Sequence, residues 1–145
     1  MYHAIVRAKL RAAFAETSRT HDAEKTAAQF APNALLVFAG DSEFGGARRG
    51  RAAIAAWFER LFATLADFWL EPLTIIVNGP PWATTVATQF RVTATLPDGT
   101  ACANEGMQYV RLRWGRIVED RIYEDTAKLE RALAVVAQAA SGAQA

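Results

Sequence analysis

Cysteine is nearly absent from this chain of 145 residues: Cys102 is the only one. That excludes an internal disulfide and a multi-cysteine metal site, and it fits a reducing compartment. Histidine is almost as scarce. His3 and His21 stand alone, and no H-E-x-x-H or comparable spacing offers converging metal ligands. Neither G-x-G-x-x-G nor a phosphate-binding P-loop occurs, so no nucleotide cofactor is indicated; neither cofactor nor metal is expected. Charge of one sign is lacking too. A formal net charge of +1 gives no electrostatic reason to invoke nucleic acid or an anionic membrane. No apolar run could span a bilayer. The N-terminal stretch alternates apolar residues with Arg7, Lys9 and Arg11, so it lacks the apolar core of a signal peptide. A soluble cytoplasmic protein is the expectation.

What is present is an ordinary globular composition, 52% apolar and 21% charged, at a single-domain length that can bury a core. One domain over 1–139 is expected, followed by a small-residue tail over 140–145. The first elements read as helices. Ile5, Val6, Leu10, Ala13 and Phe14 recur at three- and four-residue steps from about Tyr2 to Thr17. Thr20 or Asp22 can cap a second short helix ending near Phe30, and Ala34 to Ala39 reads as a short buried strand. After a loop over Gly40 to Gly46 and a charged edge, Gly50 opens a third helix. Ile54, Trp57, Phe58, Leu61, Phe62 and Leu65 mark its buried face.

From Phe68 the period changes to two. Phe68 to Asn78 reads as a strand bent at Pro72, and Gly79-Pro80-Pro81 breaks the chain. In the next strand Val86, Thr88, Phe90, Val92 and Ala94 share one face. Pro97-Asp98-Gly99 is a hairpin turn. Cys102 to Trp114 and Ile117 to Tyr123 complete the strands. Asp125 or Thr126 then caps a terminal helix whose buried face is Leu129, Leu133 and Val136. Helices, then a meander, then a closing helix is an α+β plan, with the helices on one face of a curved antiparallel sheet.

The order of these elements, with ARRGRAAIAAWFERLF at the third helix and RLRWGRIVEDRIYEDTAKL at the end, resembles the SnoaL-like and ketosteroid-isomerase-like branch of the nuclear transport factor 2-like superfamily. Gly50-Arg51 matches the family's Gly-Arg opening of the third helix. Gly115-Arg116-Ile117 matches its Gly-Lys/Arg-Ile step in the last hairpin. The resemblance spans about Ile5 to Leu133. It implies a cone, in which a strongly bent antiparallel (mixed) sheet wraps the N-terminal helices around a deep pocket. It also implies a homodimer through the outer sheet face, where Met107, Tyr109 and Tyr123 would lie. In ketosteroid isomerases a carboxylate base moves a proton, while a tyrosine and a protonated aspartic acid hold the enolate oxygen. Aligned by element, this chain has Phe38 at the base, Phe14 at the tyrosine and Gln108 at the aspartate. Phe30 and Phe58 fall where supporting tyrosines stand. The steroid-isomerase mechanism is therefore disfavoured, since both the base and the oxyanion donors are missing.

An aromatic cavity remains, with Phe14, Phe38, Trp57, Phe58, Phe62 and Phe90 as its expected wall, or as core filling. Gln108 and Asn104 share a strand face and could orient a ligand carbonyl, or Gln108 could make a structural hydrogen bond to a neighbouring strand. The last strand supplies the candidate acid–base groups, Asp120 and Glu124. If the hairpin loop holds three residues, Trp114 to Arg116, then Gln108 pairs with Ile122 and Asp120 faces the pocket. A two-residue loop flips the strand and sends Glu119, Arg121 and Tyr123 inward instead. The resemblance favours the first register. An inward Asp120 would have a raised pKa and could act as general acid or base; an outward one is a solvated or salt-bridged carboxylate. Asp41, Ser42 and Glu43 could place a base at the pocket mouth, and Arg48, Arg49 and Arg51 could hold an anion, though a solvated loop and a solvated edge explain them more simply. His21 and Asp22 are expected to cap. Two functions follow: a cofactor-free isomerase, cyclase, dehydratase or hydrolase acting on a small hydrophobic carbonyl compound, or a non-catalytic ligand-binding or protein-interaction dimer.

Overall fold

A computed structural model describes residues 1–144. The first helix, α1 (Tyr2–Thr20), runs one turn beyond the apolar periodicity. It ends where His21 enters the left-handed region at φ 50° and returns its N–H to the carbonyl of Thr17. Asp22 then caps α2 (Ala23–Ala27) by accepting from the backbone N–H of Lys25 at 3.0 Å, as its residue type favours.

Six strands form one sheet in the order β2-β1-β6-β5-β4-β3. β1 (Phe30–Phe38) begins four residues earlier than its apolar run suggests. Its pairing with β6 shifts between Phe30 and Leu35, and this irregularity accommodates Pro32, which has no N–H to donate to a ladder. The charged edge after the loop is a strand, β2 (Gly46–Arg49), paired antiparallel to β1. Gly50, at φ 90°, turns the chain into α3 (Arg51–Thr64). There follow β3 (Ala66–Asn78), β4 (Thr84–Thr95), β5 (Ala101–Arg113) and β6 (Arg116–Glu124). β1 and β6 are parallel and all other pairs antiparallel, so the sheet is mixed. The terminal helix α4 (Thr126–Gln144) continues through most of the stretch expected as a small-residue tail; Ala145 lies outside the described residues.

Alternation along β4 is unbroken, with Thr84, Val86, Thr88, Phe90, Val92 and Ala94 buried. β3 slips register at Leu73, between Pro72 and Thr74, and again between Ala66 and Trp69; such slips bend a sheet. α1 packs along β3 and α3 lies against β1, so the helices fill the concave side. The core there joins Leu36, Ile54, Phe44 and Val86, each 1% exposed or less. Burying a side chain of this kind stabilises by about 1.5–3 kcal/mol. Ile5, expected on the buried face of α1, is 48% exposed.

Candidate functional site

The last hairpin decides which side chains enter the concave side. Arg113 pairs with Arg116, so the loop has two residues, Trp114 and Gly115, not three. Both have positive φ, 51° and 80°, the requirement of a type I′ turn. That loop alone would turn Asp120 outward. Two residues further on, the ladder slips: Leu112 pairs with Ile117, but Arg111 pairs with Glu119, leaving Val118 as an unpaired extra residue. The bulge restores the pairing of Gln108 with Ile122 and of Val110 with Asp120. Asp120 therefore points inward and is 2% exposed.

The concave side encloses a cavity of about 110 Å³ lined from every element except β2. It has room for several waters or a single small ring. Phe44, Trp57 and Phe58 form a chain of aromatic contacts with centroids 5.9 and 5.0 Å apart, joined at Trp57 by Phe38 at 5.6 Å. The Trp57 indole N–H donates to the carbonyl of Phe44 at 2.9 Å and closes the β1–β2 loop over this wall. Phe14, Phe38, Trp57, Phe58 and Phe90 all line the cavity as expected. Phe62 does not. It stacks on His21 at 5.2 Å, behind Phe58 and Phe68, because that imidazole is fixed by donating from Nε2 to the carbonyl of Phe68 at 2.6 Å.

Polar groups are few. The Gln108 amide donates from Nε2 to both carboxylate oxygens of Asp120, at 2.9 and 3.0 Å. Burial pushes the Asp120 carboxyl up to about 7, and the Gln108 hydrogen bond opposes this only in part. Glu124, two pleats along the same face, also reaches about 7. Burial is the main cause, the Asn104 hydrogen bond works against it, and the charge of Asp125 adds to it. Four residues of strand separate the two carboxyls, a rise of about 13 Å. They are separate groups in one cavity, not a close pair.

Asn104, expected to orient a ligand, is buried but does not line the cavity. Its Nδ2 donates to Glu124 Oε1 at 3.3 Å and to the Asp125 carbonyl at 2.9 Å, and its Oδ1 accepts from the N–H of Glu105. The amide is fully used in tying the end of β6 to the start of α4. Ser42, Glu43 and the basic candidates are likewise occupied. Asp41, Ser42 and Glu43 lie outside the lining, with Glu43 paired to Arg60. Arg48 clamps the carbonyls of Glu43, Phe44 and Gly45, Arg49 that of Asn33, and Arg51 that of Phe30.

Gly106 is a site residue that pattern reading passed over. A Cβ there would lie 2.7 Å from Phe90 Cζ, 2.9 Å from Glu124 Cβ and 2.2 Å from the Tyr123 carbonyl. Its missing side chain leaves the Phe90 ring and Glu124 facing each other across β5. The signal was a glycine inside a strand. Among the described residues no three His, Cys, Asp or Glu side chains converge as metal ligands.

The profile of the SnoaL-like domain family matches residues 10–120, which include all of the cavity lining except Ile122, Glu124 and Leu129. The chain belongs to that family. Solved structures agree with its fold. A SnoaL-like chain of this shape resembles Bal32a, from a soil-derived mobile gene cassette, at 21% identity and a TM-score of 0.72, over 86% of this chain and 92% of that one. TerC, co-crystallised with polyporic acid, gives 21% and 0.68 over 88% and 96%. A protein of ketosteroid-isomerase-like fold from Catenulispora acidiphila, in complex with trimethylamine, gives 18% and 0.66 over 77% and 82%. No curated protein matches the chain. SnoaL-like membership carries the fold but not a reaction, since one fold hosts many. Among the described residues no helix is long and apolar enough to cross a membrane.

Proposed function

We propose that the SnoaL-like cavity binds a small hydrophobic molecule and that Asp120 exchanges a proton with it, in an isomerisation, cyclisation, dehydration or hydrolysis needing no cofactor. The observation that carries this reading is a carboxyl inside an aromatic cavity, held by burial at about 7, where both of its protonation states are populated near neutral pH. As carboxylate it accepts the Gln108 amide and can take a proton from carbon next to a ligand carbonyl. As acid it can donate its O–H to that carbonyl oxygen, or to Gln108 Oε1 once the amide rotates. Gln108 is the positioning partner, and the aromatic wall excludes water. Two relatives hold small molecules, polyporic acid and trimethylamine, in the same fold, which supports a small-molecule cavity here.

The test uses a small ketone in heavy water. With cyclopentanone, the protein is expected to exchange the hydrogens beside the carbonyl for deuterium faster than buffer does, read by proton NMR. Asp120→Asn is expected to lower the protein-dependent rate by about 100-fold or more, the usual worth of a positioned base. Equal exchange by the two proteins would sink the role of Asp120. A second reading, a dimer formed through the outer sheet face, is favoured by Ile76, Met107, Tyr109 and Tyr123, which stand there 40–61% exposed.

A further inference from the structure

The cavity has acids and no bases. Asp120 and Glu124 are its ionisable groups, and none of its lining residues is a lysine, arginine or histidine. Aliphatic side chains and aromatic rings make up most of the rest of the wall, and the faces of those rings, Phe90 among them, carry negative potential. The charged and ring groups of this lining favour a positive charge carried on an apolar body.

The two acids are not equivalent. Asp120 has both oxygens on the Gln108 amide. Glu124 is held by one oxygen only: Asn104 donates to Oε1, while Oε2 accepts no hydrogen bond among the described residues. Asn104 is itself fixed by the Asp125 carbonyl and the Glu105 N–H, so it holds Glu124 in one orientation. Gly106 leaves open the space between Glu124 and the Phe90 ring, and a side chain there would collide with both. No ion pair joins Glu124 to a cation among the described residues. The titratable groups that bear on it are Asp120 in the same cavity and Cys102 and Asp125 beside it; Lys128, an exposed residue of α4, lies near Cys102.

We infer that Glu124, oriented by Asn104 and faced by Phe90 across Gly106, is the receptor for the ammonium group of a small hydrophobic amine. The inference rests on the cavity being the ligand site, and it leaves Asp120 free for proton exchange. Glu124 here is a binding group, and Asn104 and Gly106 position it. A bound cation stabilises the ionised carboxyl, so Glu124 loses its proton on binding. Affinity therefore weakens as pH falls below about 7, the value at which the empty site titrates.

The test is isothermal titration of the whole protein at pH 8 with two probes of one shape, cyclopentylamine, which is cationic there, and neutral cyclopentanone. The amine is expected to bind about tenfold or more tightly than the ketone, as a partly desolvated carboxylate and ring face together provide. In Glu124→Gln, which keeps the shape and the Asn104 contact, the two affinities are expected to converge. Equal affinities in the parent protein would overturn the amine inference while leaving the cavity as a ligand site. A preference that survives Glu124→Gln would overturn the assignment to Glu124. Absence of binding by both probes would overturn the inference together with the reading beneath it.

Discussion

A carboxyl that is 2% exposed and meets only a neutral amide is costly to ionise, and the cost has a sign in pH. In the unfolded chain Asp120 releases its proton near the ordinary 3.8, whereas in the folded chain it holds it to about 7. Between these values the native state binds more protons than the unfolded one, so stability falls as pH rises from about 4 to 7 and is level above. The whole gap is worth about 4 kcal/mol, an upper limit before relaxation. Asp120→Asn keeps the shape and removes the charge, and a rotated Gln108 amide can still bond it. The variant is expected to be about 1–3 kcal/mol more stable than the parent at pH 8 and nearly equal to it at pH 4. Urea unfolding at both pH values measures this. A variant less stable at pH 8 would show that Asp120 is not an uncompensated buried charge. Glu124 titrates with the same sign, and the comparison at fixed pH removes its share. At this scale, helical periodicity placed Phe14 and Phe58 and strand alternation placed Phe90, while the resemblance favoured the register that turns Asp120 and Glu124 inward beside Gln108. None of these could show that Asn104 is consumed by a carbonyl 21 residues away, nor that Phe62 is held aside by His21, because both depend on partners distant in sequence.

At the scale of the element, the last hairpin combined two features that cancel. The type I′ turn at Trp114-Gly115 shifts the pairing by one residue, and the bulge at Val118 shifts it back. The inward direction of Asp120 was expected from a three-residue loop and is achieved by a two-residue loop plus a bulge. Ile117, Val118 and Glu119 all suit a strand, so no residue type announces the bulge. β2 was illegible for a related reason: Gly46-Ala47-Arg48-Arg49 is too short and too polar for alternation to show. Because Val118 is the unpaired residue, deleting it should leave Glu119 opposite Arg111 and Asp120 opposite Val110. We expect the carbon-13 signal of the Asp120 carboxyl in that deletion variant to titrate well above the ordinary aspartate range, as in the parent. A return to about 4 would mean that Asp120 had left the cavity, and that the bulge does more than correct the turn.

For the whole molecule, the order of helices, meander and closing helix was legible because each period is long and each break has its own chemistry: Gly50 at the start of α3, Gly79-Pro80-Pro81 before β4, Pro97-Asp98-Gly99 before β5. The enclosed volume was not, since it depends on how far the slips in β3 and β6 bend the sheet. The convex face poses the last question. Met107 pairs with Tyr123, and Ile76, Ala87 and Tyr109 run across three strands beside them, giving an apolar area bordered by the Arg91–Glu105 pair and by Arg111, Glu119 and Arg121. An exposed apolar patch with a charged border is the composition of an interface. A second copy related by a twofold axis would bring the patch onto itself and its arginines near the partner's glutamates. Met107→Glu adds a charge at the centre of the patch, opposite Tyr123, and on a twofold axis that charge meets its own image. The parent is expected to sediment at twice the mass of the chain and the variant at the mass of one chain. Cyclopentylamine affinity should be retained, because Met107 points away from the cavity. A parent that sediments as a single chain over the micromolar range would rule out the dimer and leave the patch to another partner.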